Sequence, residues 1–203
     1  MSRIGAILLE FGLSFPKGHA KMKQLFQWLA EQDTQLPHSL MLELVSIHEH
    51  YQYLNQKVEA QDKKLQAIVA SNDNAALLTS VPGIGYLTAT QCIADVSSPS
   101  NFTKGREMAA WLGLVPKQYS TGGKPKLLGM SKRGNKHLRT LFIHGARAVL
   151  SRPEKTGKVF GEWLINLRAT KPFNVAVVAL ANKLARIAWA VLYHRQAFKT
   201  VQP

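Results

Sequence analysis

Acidic residues are scarce in this sequence, and nearly absent from half of it. The 203 residues hold 12 Asp+Glu against 26 Lys+Arg, a formal charge of +14. Residues 1–102 carry 7 Lys+Arg and 9 Asp+Glu, a net −2; residues 103–203 carry 19 and 3, a net +16. Most of the acids lie along residues 43–62 or stand alone, as Asp95, Glu107, Glu154 and Glu162 do. No two are spaced to hold Mg²⁺, so no metal site is expected in this chain. Cysteine is limited to Cys92. That excludes an intrachain disulfide and a cysteine-based zinc site, and it suits a reducing cytoplasm. Long apolar runs are also missing. The N-terminal run stops at Glu10, too soon for a secretory signal. Val175–Tyr193 is interrupted by Asn182, Lys183 and Arg186, which reads as a core helix and not a membrane span. There is no internal repeat and no low-complexity tract.

What is present suffices for a folded core, with 46% hydrophobic residues in a length that fits one domain, or a domain with an arm. The charge split gives the chain one basic surface, which implies a polyanion partner, most simply DNA or RNA. The basic residues concentrate in Pro116–Arg139, PKQYSTGGKPKLLGMSKRGNKHLR. This stretch carries Lys117, Lys124, Lys126, Lys132, Arg133, Lys136 and Arg139, and no carboxylate. It also carries Gly122, Gly123, Gly129 and Gly134, with hydroxyls at Ser120, Thr121 and Ser131. Glycines let a backbone approach a ligand, and Lys and Arg neutralise phosphates. A serine in such a cradle could attack a phosphodiester. The alternative reading of the same composition is a solvated basic loop.

The fold class is expected to be mainly α, in two parts that meet near residue 72. Residues 1–18 form a short apolar start broken by Gly5, Gly12, Pro16 and Gly18, and a helix is expected over His19–Glu31. After Pro37, Leu40, Leu44, Ile47, Tyr51, Leu54, Val58, Leu65 and Ile68 recur at alternating steps of four and three, with Gln61 in the missing place. That spacing predicts a coiled-coil arm that joins copies of the chain through residues 40–68. An amphipathic helix packed on its own domain is the competing reading. Leu77–Val96 places two short apolar helices around Pro82-Gly83-Ile84-Gly85. This resembles a helix–hairpin–helix element, in which Gly83 and Gly85 would offer backbone N–H groups to a phosphate. A plain structural turn over a core of Leu87, Ala89 and Ile93 is the other reading. Further helices are expected over 104–113, 135–150, 157–168 and 172–198, with a loop or short β-hairpin over 114–132.

Three segments carry a resemblance to a known family: LLTSVPGIGYLTA, then FTKGREMAAWLGLVPKQYSTGGKPKLLGMSKRGNKHLRTLFIHGARAVL, then VALANKLARIAWAVL. Their order and spacing resemble the C-terminal transposase domain of the RNA-guided, pilin-invertase-related insertion-sequence transposases. The opening RIGAILLEFGLSFPKG and the 40–70 helix resemble that family's connector. The resemblance implies residues 1–72 as connector and dimerisation arm, and 73–203 as the transposase C-terminal domain. In the family this domain acts with an N-terminal RuvC-like DEDD domain that has no counterpart in these residues. The resemblance therefore implies a truncated, relic or separately encoded half, in the bacterial cytoplasm near the nucleoid.

The resemblance also implies a chemistry. A serine of this domain attacks a DNA phosphodiester, and the matching residue is Ser120, with Thr121 and Ser131 as substitutes. A serine hydroxyl needs a base or metal to activate it and cations to stabilise the phosphorus oxygens. Lys124, Lys132, Arg133 and Arg139 could supply the cations; His137 and His144 are the nearby candidate bases. The family's answer implies Mg²⁺ on the DEDD domain, with no cofactor in this chain. Partners implied are DNA, a guide (bridge) RNA and further copies of the chain, with no membrane. Two other readings stay open: a dimeric nucleic-acid-binding remnant without catalysis, and an unrelated helix–hairpin–helix DNA-binding protein. Trp111 and Trp189 could stack on bases, but their apolar contexts point to packing.

Overall fold

The computed structural model describes residues 2–16, 18–32, 36–119, 126–152 and 159–199. It is mainly α-helical and divides into two compact units, Met1–Gln61 and Asp62–Pro203. The division falls inside a helix about ten residues before the expected boundary. The reason is Val69, which is 5% exposed and joins the apolar core of the second unit.

In the first unit, α1 (Ser2–Glu10), α2 (His19–Met22) and α3 (Leu25–Ala30) pack on the early turns of α4 (His38–Ala70). Ile4 and Leu8, one turn apart, are both fully buried, so Gly5 does not prevent a helix there. Gly12, at φ +75°, closes α1, with the Leu13 N–H donating to Leu8 O at 2.9 Å. The single helix expected over His19–Glu31 is two, because the Gln24 N–H turns back to Lys21 O at 2.9 Å. Buried His48 on α4 hydrogen-bonds Met22 O at 3.1 Å and tethers that turn.

The 33 residues of α4 make a rod of roughly 50 Å. Its apolar seam splits in two. Leu44 is fully buried, and Leu40, Ile47 and Tyr51 are half-buried against α1–α3. Leu54, Val58 and Ile68 are exposed at 49%, 57% and 51%. The first half of the expected coiled-coil seam is thus consumed within its own unit. Of the short helices that cover it, α1 reads in sequence as a broken apolar start, and α2 and α3 as the one helix expected over His19–Glu31.

In the second unit the last turns of α4 are followed by α5 (Asp73–Thr79), whose first turn is capped by Asn72 Oδ1 accepting from the Ala75 N–H at 3.0 Å. After Pro82–Gly85 come α6 (Tyr86–Val96), a 3₁₀ turn (Pro99–Asn101) and α7 (Gly105–Trp111). Strands β1 (Pro116–Gln118) and β2 (Leu127–Met130) pair antiparallel, which resolves the loop-or-hairpin alternative for 114–132 in favour of the hairpin. Then come α8 (Lys136–Leu150), α9 (Glu162–Thr170) and α10 (Phe173–His194).

Helix α10 is the centre of this unit. Ala176, Leu180, Ala181, Leu184, Ala185 and Ala188 form its buried face, and the small residues admit α7 and α8 at close range. By length and composition α10 could cross a membrane, yet half of its apolar window is buried inside the protein. Glycine is required where the α5–α6 turn meets α8. A Cβ on Gly145 would stand 1.9 Å from Gly83 O, and Gly83 itself sits at φ +96° against Val149 and Leu184. Cys92, fully buried on α6, has its thiol pushed up to about 12 by burial, and secondarily by the charge of Asp95, which removes it as a nucleophile near neutral pH.

Candidate nucleic-acid interface

The basic stretch is held by a crossing of two chain segments. Residues 111–113 leave α7 where residues 133–134 enter α8. A Cβ on Gly113 would stand 2.0 Å from Arg133 O, and one on Gly134 1.7 Å from Trp111 O. Both glycines have positive φ, +71° and +88°. Only glycine lets these backbones touch. The contact is continuous with the hairpin: the Ser131 N–H donates to Val115 O at 2.8 Å, and the Lys132 N–H to Gly113 O at 3.2 Å. Lys132 holds φ +58°, unusual for a residue with a Cβ.

Arg139 locks this crossing. Sequence placed it among the phosphate-binding cations, but it is only 7% exposed. Its Nη1 donates to Leu112 O at 3.0 Å and to Arg133 O at 3.2 Å. Leu112 O is one of the carbonyls left without an intrahelical partner at the end of α7, and a guanidinium is a suitable donor for it. The neighbouring cations Lys132, Arg133 and Lys136 are exposed, as are Lys117 on β1 and Lys126 before β2. Among the described residues none of these five is ion-paired to a carboxylate. His137 and His144 lie exposed along α8, while Ser131 is half-buried. Ser120, Thr121, Gly122, Gly123 and Lys124 lie outside the described residues.

The start of α8 is fixed by a network that sequence reading missed. Asn135 Oδ1 accepts from the Leu138 N–H at 3.0 Å, and its Nδ2 donates to Asp95 Oδ2 at 2.6 Å. Asp95 Oδ1 accepts from Gln91 Nε2 at 2.9 Å. The lone carboxylate of α6 thus orients the cap of α8. An Asn directly before an apolar-periodic run is a helix-start signal that could have found half of this pair.

The two hairpin glycines differ. Gly83 faces α8 and α10 and serves packing, whereas the Cβ position of Gly85 is open. Gly85 precedes α6, whose N-terminus has no side-chain cap, so first-turn N–H groups there are free of intrahelical partners. Tyr86 and Leu87 beside them are each 48% exposed, so Leu87 is not the core residue that the structural-turn reading expected. Trp111 and Trp189 are half-buried. Trp111 packs on Phe102 with ring centroids 5.7 Å apart, and Trp189 Nε1 donates to Pro99 O and Phe102 O, both at 3.1 Å. Both indoles are structural. Among the described residues no three His, Cys, Asp or Glu come together as a metal site.

Residues 75–160 match the family described as Transposase IS116/IS110/IS902. The chain is 40% identical over 190 residues to the transposase for insertion sequence element IS1328 of Yersinia enterocolitica, covering 94% of this chain and 56% of that protein. It is 37% identical over 200 residues to a probable family 20 transposase of Pseudomonas aeruginosa, covering 98% and 59%. The pilin gene-inverting protein of Moraxella bovis is 27% identical over 130 residues, covering 63% and 39%. The chain spans about half the length of the first two.

Replacing Arg139 by Met would leave two backbone carbonyls without their donor. The expected loss is about 2–4 kcal/mol of folding stability. Urea unfolding followed by far-UV circular dichroism measures it; an unchanged midpoint would show that the guanidinium does not hold the crossing.

Proposed function

We propose that this chain is the DNA-binding, serine-bearing half of a transposase that exchanges DNA strands. What carries the reading is the transposase-family domain over residues 75–160, built around a carboxylate-free basic segment. Binding rests on phosphate contacts from Lys117, Lys124, Lys126, Lys132, Arg133 and Lys136, with the free N–H groups after Gly85 as a further anion site. DNA is the substrate, and a guide (bridge) RNA is the second nucleic acid held on the same basic surface.

Ser120 is the proposed nucleophile. It lies in sequence between β1, which carries the exposed Lys117, and β2, which the exposed Lys126 precedes. Its Oγ attacks phosphorus, forming an Oγ–P ester and breaking the bond to one sugar oxygen. The serine proton passes to a base, and the released sugar oxygen gains a proton. The reverse attack by a sugar hydroxyl rejoins DNA and regenerates serine, conserving the bond energy. Exposed cations can stabilise the charge on the phosphorus oxygens. Activation of Ser120 is assigned to a DEDD domain carrying Mg²⁺, because the candidate bases among these residues, His137 and His144, sit on an exposed helix face. Copies of the chain associate through the exposed half of the α4 seam, Leu54, Val58 and Ile68, with Gln61 setting register.

Mixing the chain with a family DEDD domain, Mg²⁺, guide RNA and DNA should give a covalent protein–DNA adduct on a denaturing gel. Ser120→Ala should abolish it and Ser131→Ala should spare it. An adduct that survives Ser120→Ala would falsify the assignment, and an adduct formed without the DEDD domain would contradict the division of labour.

Association is tested by replacing Leu54 and Val58 together by Asp, then measuring mass in solution by light scattering. The parent should be an oligomer and the variant a monomer. A parent that is already monomeric would end the coiled-coil reading.

A further inference from the structure

The second unit holds an open groove of about 1070 Å³ on the side of α10 that does not face the core. Its floor is one stripe of that helix: Val175, Val178, Ala179, Asn182, Ile187 and Ala190. These positions recur at helical steps from Val175 to Ala190, a stripe of roughly 23 Å. Leu114, Val115, Leu128 and Met130, from the hairpin and the segment leading into it, form one wall. The N-terminus of α7 closes against α10, where a Cβ on Gly105 would meet Arg186 O at 3.0 Å. Trp163 of α9, 39% exposed, stands on the remaining side.

The rim is charged with one sign. Lys104, Arg106, Lys183 and Arg186 line the groove, and among its described lining residues there is no Asp or Glu. Lys183 Nζ lies 3.8 Å over the Trp163 ring. Its ammonium is drawn below the usual lysine range, first by desolvation and then by the nearby Arg186. Two cations set side by side at an apolar groove, with no counter-charge, leave an electrostatic gap that a partner can fill.

We propose that this groove docks an acidic amphipathic helix of a protein partner, its apolar face on the α10 stripe and its carboxylates on the four rim cations. The aliphatic floor favours a protein over nucleic acid. Bases stack on exposed aromatic faces, and the indole best placed for this already carries Lys183. Rows of Val, Ala, Ile, Leu and Met match instead the i, i+3, i+4, i+7 anchors of a helix laid in a groove. The four cations lie outside Pro116–Arg139, whose contribution to the groove is the apolar wall of Leu128 and Met130 and none of its cations.

The test uses a fluorescein-labelled helical peptide of about 18 residues, with Leu at i, i+3, i+4 and i+7 spacing and Glu on its flanks. A second peptide carries Lys in place of Glu. A thymidine oligonucleotide and vesicles of phosphatidylcholine with phosphatidylglycerol are run in parallel. Fluorescence anisotropy, or co-sedimentation for vesicles, reads binding to the whole chain. The Glu peptide should bind at least about tenfold more tightly than the Lys peptide. Val175→Asp, at a site already 52% exposed, should weaken it by about tenfold, and Lys104→Glu with Arg106→Glu should erase or reverse the preference. Circular dichroism of each variant establishes that it is folded. Equal binding of the two peptides, or affinity unchanged in both variants, overturns the proposal. So does oligonucleotide or vesicle binding that Val175→Asp weakens more than it weakens the Glu peptide.

Discussion

The second unit depends on one backbone crossing. The chain leaving α7 and the chain entering α8 meet at Gly113 and Gly134, closer than any side chain would permit. Arg139 joins them by donating to a carbonyl on each side, Leu112 O and Arg133 O. A buried guanidinium is costly unless its donors are used, and here two carbonyls use it. The hairpin extends from this crossing, and α8 starts from it. Asp95, through Asn135, fixes the same helix start from the other side. Lys132, Arg133 and Lys136 are therefore displayed from a braced junction and not from a loose loop, which reduces the ordering cost of a ligand.

The same economy of acids shapes the surface. Asp95 is committed to Gln91 and Asn135, and Glu107 accepts from the Thr103 N–H and hydroxyl at the start of α7. Those contacts hold the Glu107 carboxyl below its ordinary range, the Thr103 hydroxyl contributing most. Asp95 and Glu107 thus orient helix starts. Among the described residues no carboxylate pairs with the exposed cations of the Pro116–Arg139 segment or with those on the rim of the α10 groove.

Much of this was legible in the sequence. The apolar spacing of Leu138, Phe142 and Val149 set α8, and the long run after Pro172 set α10, because local periodicity and burial agree there. The hairpin alternative for 114–132 was legible too. Arg139 was not, because composition counts a cation without knowing that a helix end lies against it. The two hairpin glycines look alike in sequence, and only tertiary packing assigns Gly83 to α8 and leaves Gly85 open. The α4 seam misled in its first half for a related reason: its periodicity is real, but α1–α3 supply the covering face. The α10 groove has no sequence signature. Its walls come from α7, the hairpin and α9, and its floor is the outer face of a helix that reads as core throughout.

The central claim is that the exposed cations of the braced junction bind phosphates while Arg139 braces them. The most direct measurement is the salt dependence of DNA affinity for the parent, for Lys132→Ala with Arg133→Ala, and for Arg139→Met, each under conditions where circular dichroism shows it folded. The account predicts steep salt dependence in the parent. The double variant should lose about two counterions from the slope, and Arg139→Met should keep the parent's slope. Affinity indifferent to salt between about 50 and 200 mM would contradict it. So would a slope that falls with Arg139→Met and stays put in the double variant.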